Sequence, residues 1–176
     1  MDAIRDETIK NESHSVTAEI VAPDSGGKGV LIAQGGAFAG WSLYLHDGKP
    51  KYCHNLAGLA RQYVESETAV EAGEHQVRME FAYAGGGLGK GGTVTLFIDG
   101  EQVGEGQIGA TVPMLYSGDE TCDVGYDSGT PVSDDYTSQD GNFNGNVKWV
   151  QPDAGLDDHD HLISPEERLR VAMAIQ

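Results

Sequence analysis

The sequence is short of cationic residues, of cysteine and of long apolar runs, and each shortage removes a class of protein. Only 11 Lys and Arg stand against 28 Asp and Glu, a formal net charge of −17. Nucleic acid and anionic membrane are excluded as partners, since both would be repelled. The same charge argues against tight binding of a sulfated polymer. Two cysteines, Cys53 and Cys122, are too few for a disulfide framework, and the sequence leaves open whether they meet. No apolar stretch approaches the ~20 residues of a membrane span, and Met1-Asp2-Ala3-Ile4-Arg5 lacks a signal peptide's apolar core. The expectation is a soluble chain. Proline is scarce (6 residues) and glycine plentiful (25), a balance that suits many short strands and turns better than a helical bundle.

Nucleophilic chemistry is also poorly provided for. No serine sits in a Gly-x-Ser-x-Gly elbow. Cys53 and His54 are adjacent, but on a strand adjacent side chains point to opposite faces. The glycine run of residues 85–92 contains Gly87, Gly89 and Gly92 in the spacing of a dinucleotide fingerprint. That reading needs a helix directly after the loop, and Thr93-Val94-Thr95-Leu96-Phe97-Ile98 follows instead. A phosphate loop fails because Gly91 follows Lys90 where Ser or Thr should hold magnesium.

What is present is alternation. Val77, Met79, Phe81 and Tyr83 share one face, as do Val94, Leu96 and Ile98, so residues 75–99 predict a hairpin with one buried side. Val16, Ala18 and Ile20 predict an earlier strand. Residues 29–34 form a nearly continuous apolar run, consistent with a strand covered on both faces. Asp47-Gly48 and Asp99-Gly100 are strong two-residue hairpin turns. Residues 143–150 restore alternation near the end, with Phe143, Val147 and either Trp149 or Val150 facing the core. About ten short strands result, the pattern of an all-β sandwich. One helix closes the chain: Ser164 as N-cap, Pro165 at the first helical position and Glu167 three residues after the cap. Its apolar stripe of Leu169, Ala172 and Met173 is narrow, so the helix should dock on something.

Three groups of residues invite chemistry. The acidic segment of residues 119–140 supplies Asp123, Asp127, Asp134 and Asp135, which would hold calcium if a loop gathered them, since calcium takes six to eight oxygen ligands. The spacing is not that of an EF-hand, and the bland reading is loop solvation. Asp157-Asp158-His159-Asp160-His161 has metal-ligand residue types, but so close together that a solvated acidic linker is the favoured reading. Trp41, Tyr44, Tyr52 and Tyr63 would make an aromatic platform for a sugar, although aromatics on strands more often belong to a core.

Several stretches together resemble the C-terminal portion of large bacterial arylsulfatases. They are residues 10–20, Ala33-Gln34-Gly35-Gly36, Trp41-Ser42-Leu43-Tyr44-Leu45, Phe81-Ala82-Tyr83 with its glycine loop, Asp123-Val124-Gly125, Gly129-Thr130-Pro131-Val132 and residues 161–169. The resemblance covers the chain from about Thr8 and implies a concanavalin A/laminin G-type jelly roll. It does not extend to catalysis. Neither Cys53-His54-Asn55 nor Cys122-Asp123-Val124 fits the formylglycine precursor pattern of that family.

The expected architecture is therefore an all-β, antiparallel two-sheet jelly-roll sandwich with one short C-terminal helix. Residues 1–13 are expected as a leader, 14–152 as the sandwich, and 153–176 as an acidic linker and helix. The resemblance implies a non-catalytic accessory domain that shapes or covers a sulfatase catalytic domain, in cis or on a separate chain. The alternative is a carbohydrate-binding module with a glycan as partner. An independent glycosidase would need two facing carboxylates, which the placed strands do not offer.

Overall fold

A computed structural model describes residues 13–85, 89–111, 122–155 and 161–174, with backbone alone beyond Arg170. Residues 1–12 of the leader, Asp119 and the carboxylates of residues 157–160 lie outside the described set. In chain order the strands are β1 (His14–Ala22), β2 (Gly29–Gly35), β3 (Gly40–His46), β4 (Lys49–Leu56), β5 (Ala60–Glu65), β6 (Gly73–Tyr83), β7 (Gly92–Ile98), β8 (Glu101–Ile108), β9 (Cys122–Val124) and β10 (Asn146–Ala154). One helix, α1 (Pro165–Ala174), follows. The strands form two antiparallel five-stranded sheets, ordered β10-β1-β6-β7-β8 and β5-β4-β3-β2-β9. β10 runs to Ala154, past the boundary expected at 152.

Local chemistry explains the hairpins. Asp47 and Gly48 both take positive φ (49° and 80°), as do Asp99 and Gly100 (51° and 85°). This is the left-handed pair that a two-residue turn needs to match strand twist. The registers follow, with His46 opposite Lys49 and Ile98 opposite Glu101.

The core lies between the sheets. Val16, Ala18 and Ile20 of β1, Val77, Met79 and Phe81 of β6, and Val94 and Leu96 of β7 face Leu31, Trp41, Leu43, Leu45, Tyr52 and Val64 of the second sheet. Removing a leucine-sized side chain from water contributes about 1.5–3 kcal/mol, so this layer carries most of the stability. Along one side the sandwich is closed by β8 lying against β5. A Cβ on Gly106 would stand 2.7 Å from Val64 Cγ2, and one on Gly104 would stand 2.9 Å from the Glu65 carbonyl oxygen. Glycine is what permits that approach.

At the other end of the first sheet, β1 and β10 slip register between Glu19 and Ile20, whose partners are Trp149 and Val147. The bulge at Lys148 lets Val147 and Val150 both turn inward, a spacing that strict alternation forbids. Trp149 turns outward, donating from Nε1 to Glu19 at 2.6 Å.

The C-terminal segment docks on the outer face of this sheet. Gln76 on β6 grips Ile163 at both ends of its backbone, donating to its carbonyl at 2.8 Å and accepting from its N–H at 2.9 Å. His161 stacks on Phe97 at 4.3 Å and meets Glu80 at 2.6 Å, while Arg168 lies over the Trp149 ring at 4.1 Å. The expected capping box is present: Glu167 N–H donates to Ser164 Oγ, and Ser164 N–H donates to the Glu167 carboxylate. Leu169 does not serve as the docking residue. It is 60% exposed, and among the described side chains the hold comes from residues 161–163 and Arg168, those of Ala172 and Met173 lying outside the described set.

Candidate functional site

The second sheet buries its outer face as well. Alternation on β3 and β4 turns Trp41, Leu43 and Tyr52 inward and Ser42, Tyr44, Lys51, Cys53 and Asn55 outward. Over these outward residues lies the segment of residues 126–141, and Val132 and Tyr136 complete a small second core with Val30, Ala33, Tyr44 and Cys53.

Polar anchors fasten the segment. Asp127, almost wholly buried, accepts from the Val132 N–H at 2.9 Å and from the Tyr136 hydroxyl at 2.6 Å. Asp135 accepts from the Tyr44 hydroxyl at 2.5 Å and pairs with Lys51 Nζ at 2.7 Å. Arg61 on β5 donates from Nε to the Val132 carbonyl at 2.9 Å and reaches Asp134 from Nη1 at 3.3 Å. Asp123 accepts from both the N–H and the hydroxyl of Ser128. The four carboxylates expected to gather around calcium are thus each engaged with different partners. Among the described residues no group of three or more His, Cys, Asp or Glu side chains is placed to hold a metal ion.

Burial decides the protonation states beneath the segment. It pushes the Cys53 thiol up to about 12 and raises the Tyr44 and Tyr136 hydroxyls far above their ordinary range, so all three are neutral donors. For Asp135 burial works toward neutrality, but the hydrogen bonds from Lys51 and Tyr44 outweigh it and hold the carboxyl below its usual value. Cys53 is no nucleophile: its sulfur faces the Val132 carbonyl, while His54 points into the core on the opposite face. Both cysteines are free.

The expected aromatic platform is divided by the pleat. Trp41 and Tyr52 stack on each other inside the core at 6.3 Å. Tyr44 is outward but covered, with Tyr136 edge-on at 5.2 Å. Tyr63 alone of the four reaches solvent, at 38% exposure. Its ring has Lys51 Nζ 4.8 Å from its centroid, and its hydroxyl accepts from the Asp134 N–H at 3.4 Å. Lys51 and Arg61 were not singled out from the sequence, yet the signal was there. The pairs Cys53–Tyr63 and Asn55–Arg61 on β4 and β5 put Lys51, Tyr63 and Arg61 on one face.

At the end of this face two loops present apolar side chains to water. Phe38 is 63% exposed and Leu59 is 88% exposed. The buried Asn55 side chain ties the loops together, donating to the Gly36 and Ala37 carbonyls and accepting from the Gly58 N–H. Each loop is closed by its own backbone bond, from the Gly36 N–H to the Ala39 carbonyl and from the Leu59 N–H to the Leu56 carbonyl, and Asn55 joins the two.

Two antiparallel five-stranded sheets packed face to face around one core have the layout of a concanavalin A/laminin G-like jelly roll. No protein-family model matches the chain, and no curated protein matches it in sequence. Solved structures do match in fold. One is the heptameric SAP-like pentraxin of Limulus polyphemus, 15% identical with a TM-score of 0.51 over 85% of this chain and 68% of that one. A second is the IT-sialidase CBM40 of Ruminococcus gnavus, 12% identical with a TM-score of 0.56 over 92% and 83%. A third is domains LG4-5 of the mouse laminin alpha1 chain, 14% identical with a TM-score of 0.56 over 85% and 42%. At such identities the likeness establishes the jelly-roll fold, and nothing in it links the chain to arylsulfatases. Among the described residues no helix is long and apolar enough to cross a membrane.

Proposed function

We propose that this chain is a glycan-binding module and that the outer face of β4 and β5 is where the sugar sits. One observation carries the reading: Tyr63, the exposed aromatic of that face, stands between Lys51 and Arg61 on rigid strands. A sugar needs a flat apolar surface for its C–H face and fixed polar groups for its hydroxyls, and this arrangement provides both. The fold neighbours support it, since the Ruminococcus module has been seen with sialyllactose bound. An accessory role beside a sulfatase catalytic domain, which the sequence resemblance implies, ranks second for want of any structural link.

The test is a glycan array followed by calorimetry on the purified chain. Binding to a defined set of glycans is expected, with Tyr63→Ala lowering affinity about tenfold while the melting curve stays within a few degrees. If no glycan is retained at millimolar concentration, the module reading fails. A tight complex with a purified sulfatase catalytic domain would restore the accessory role.

A further inference from the structure

The two cations of this face are not equivalent, and their difference predicts the class of sugar. This step rests on the glycan-binding reading. Lys51 is crowded by negative charge: Asp135 at 2.7 Å, and Glu65 directly across on β5 in the strand register. Asp135 is itself held on other sides by the Tyr44 hydroxyl, while its own N–H donates to Ser133 Oγ. Removing it would break a buried network.

Arg61 sits at the other end of the face, beside the Leu56–Leu59 turn. Its one carboxylate partner among the described residues is Asp134, at 3.3 Å from Nη1 alone, and that side chain is 72% exposed. Such a pair holds weakly, because water solvates the carboxylate almost as well as the guanidinium does. Meanwhile Arg61 is fixed by its Nε bond to the Val132 carbonyl, so the guanidinium stays oriented whether or not Asp134 is in place.

We infer that Arg61 is the anchor for a single carboxylate on an acidic sugar, and that Asp134 is an internal anion which the ligand replaces. Lys51 and Arg61 face three carboxylates, Asp134, Asp135 and Glu65, a local formal charge of −1, so adding an anion without displacement would make the site more negative still. When Asp134 turns out to solvent, the incoming carboxylate takes the vacated guanidinium edge in fork geometry, and the Tyr63 ring beside it receives the sugar face. A polymer of many charges is disfavoured by the −17 of the whole chain. The ligand is therefore a terminal acidic residue on an otherwise neutral glycan.

Calorimetric titrations of the full chain with sialyllactose, lactose and a sulfated lactose test this. The expected order is sialyllactose tightest, with a preference over lactose that shrinks as salt rises from about 0.05 to 0.5 M. Asp134→Asn should strengthen sialyllactose binding about three- to tenfold and strengthen lactose binding far less. Arg61→Gln should bring sialyllactose down to the lactose level; should that variant lose its fold through the Val132 contact, Asp134→Asn decides alone. Equal binding of sialyllactose and lactose, or Asp134→Asn moving both alike, sinks the acidic-sugar assignment while leaving a glycan module standing. Tighter binding of the sulfated sugar overturns the carboxylate assignment. Failure of all three, together with an empty glycan array, removes the module reading itself.

Discussion

Asp127 and Tyr136, nine residues apart in a segment with no regular structure, meet through a 2.6 Å hydrogen bond from hydroxyl to carboxylate. The same carboxylate receives the Val132 N–H, and the same hydroxyl reaches Ser42 on β3 at 2.8 Å. One buried carboxyl thus pins the covering segment to the sheet beneath it. Asp127→Ala should leave a buried N–H and a buried hydroxyl without that acceptor, at about 3 kcal/mol. Tyr136→Phe should cost about 1 kcal/mol. Urea denaturation of both variants checks the ranking, and equal midpoints would mean the segment is held chiefly by its apolar contacts.

His54 makes the fold sensitive to acid. Burial, helped by nearby His14, pulls its pKa from 6.5 down to about 4, and its Nε2 is buried with no hydrogen-bond partner among the described residues. The unfolded chain takes up this proton near pH 6.5 and the folded chain resists until about pH 4. Stability is therefore complete above pH 6.5 and drains away as pH falls toward 4, by about 3 kcal/mol. Thermal melts across that window should show the slope, and His54→Leu should flatten part of it. An unchanged slope in the variant would assign the acid sensitivity to other groups.

The C-terminal segment is expected to behave as an attachment to the sandwich, since it packs on the outer face of one sheet. Deleting residues 161–176 should leave the β-sheet circular dichroism intact while uncovering Phe97 and the Arg78–Glu80 pair. The truncated chain should melt about 5 °C lower. Gln76→Ala in the full chain should reproduce about half of that, since it removes both bonds to Ile163. An unfolded truncation product would place the segment within the cooperative unit.

Turnover of aryl sulfates is not expected of this chain, whose cysteines lack the precursor pattern and are free and neutral at their positions. The measurement is release of a chromogenic phenol by pure protein against a heat-killed control. Release above control would reopen the sulfatase reading.

The local grammar of this protein is written in the sequence. Alternation placed Val77, Met79 and Phe81 on one face, Asp47-Gly48 and Asp99-Gly100 made the turns, and Ser164 with Glu167 made the capping box. These depend on sterics and hydrogen bonds within a few residues, so a few residues suffice to read them. The inward Val147 and Val150 were half legible, because a bulge is created by the mismatch between two strands and leaves its mark on neither alone.

What the tertiary structure decided is which faces meet. Asp134 lies 73 residues beyond Arg61 and Asp135 lies 84 beyond Lys51, and nothing near them in the chain says that they will pair with those cations. The aromatics divided for the same reason. Trp41 and Tyr63 look alike as strand residues, and only the stacking of the two sheets sends the first to the core and leaves the second in water. Such choices depend on long-range packing, whose energy appears only when segments distant in the chain are brought into contact.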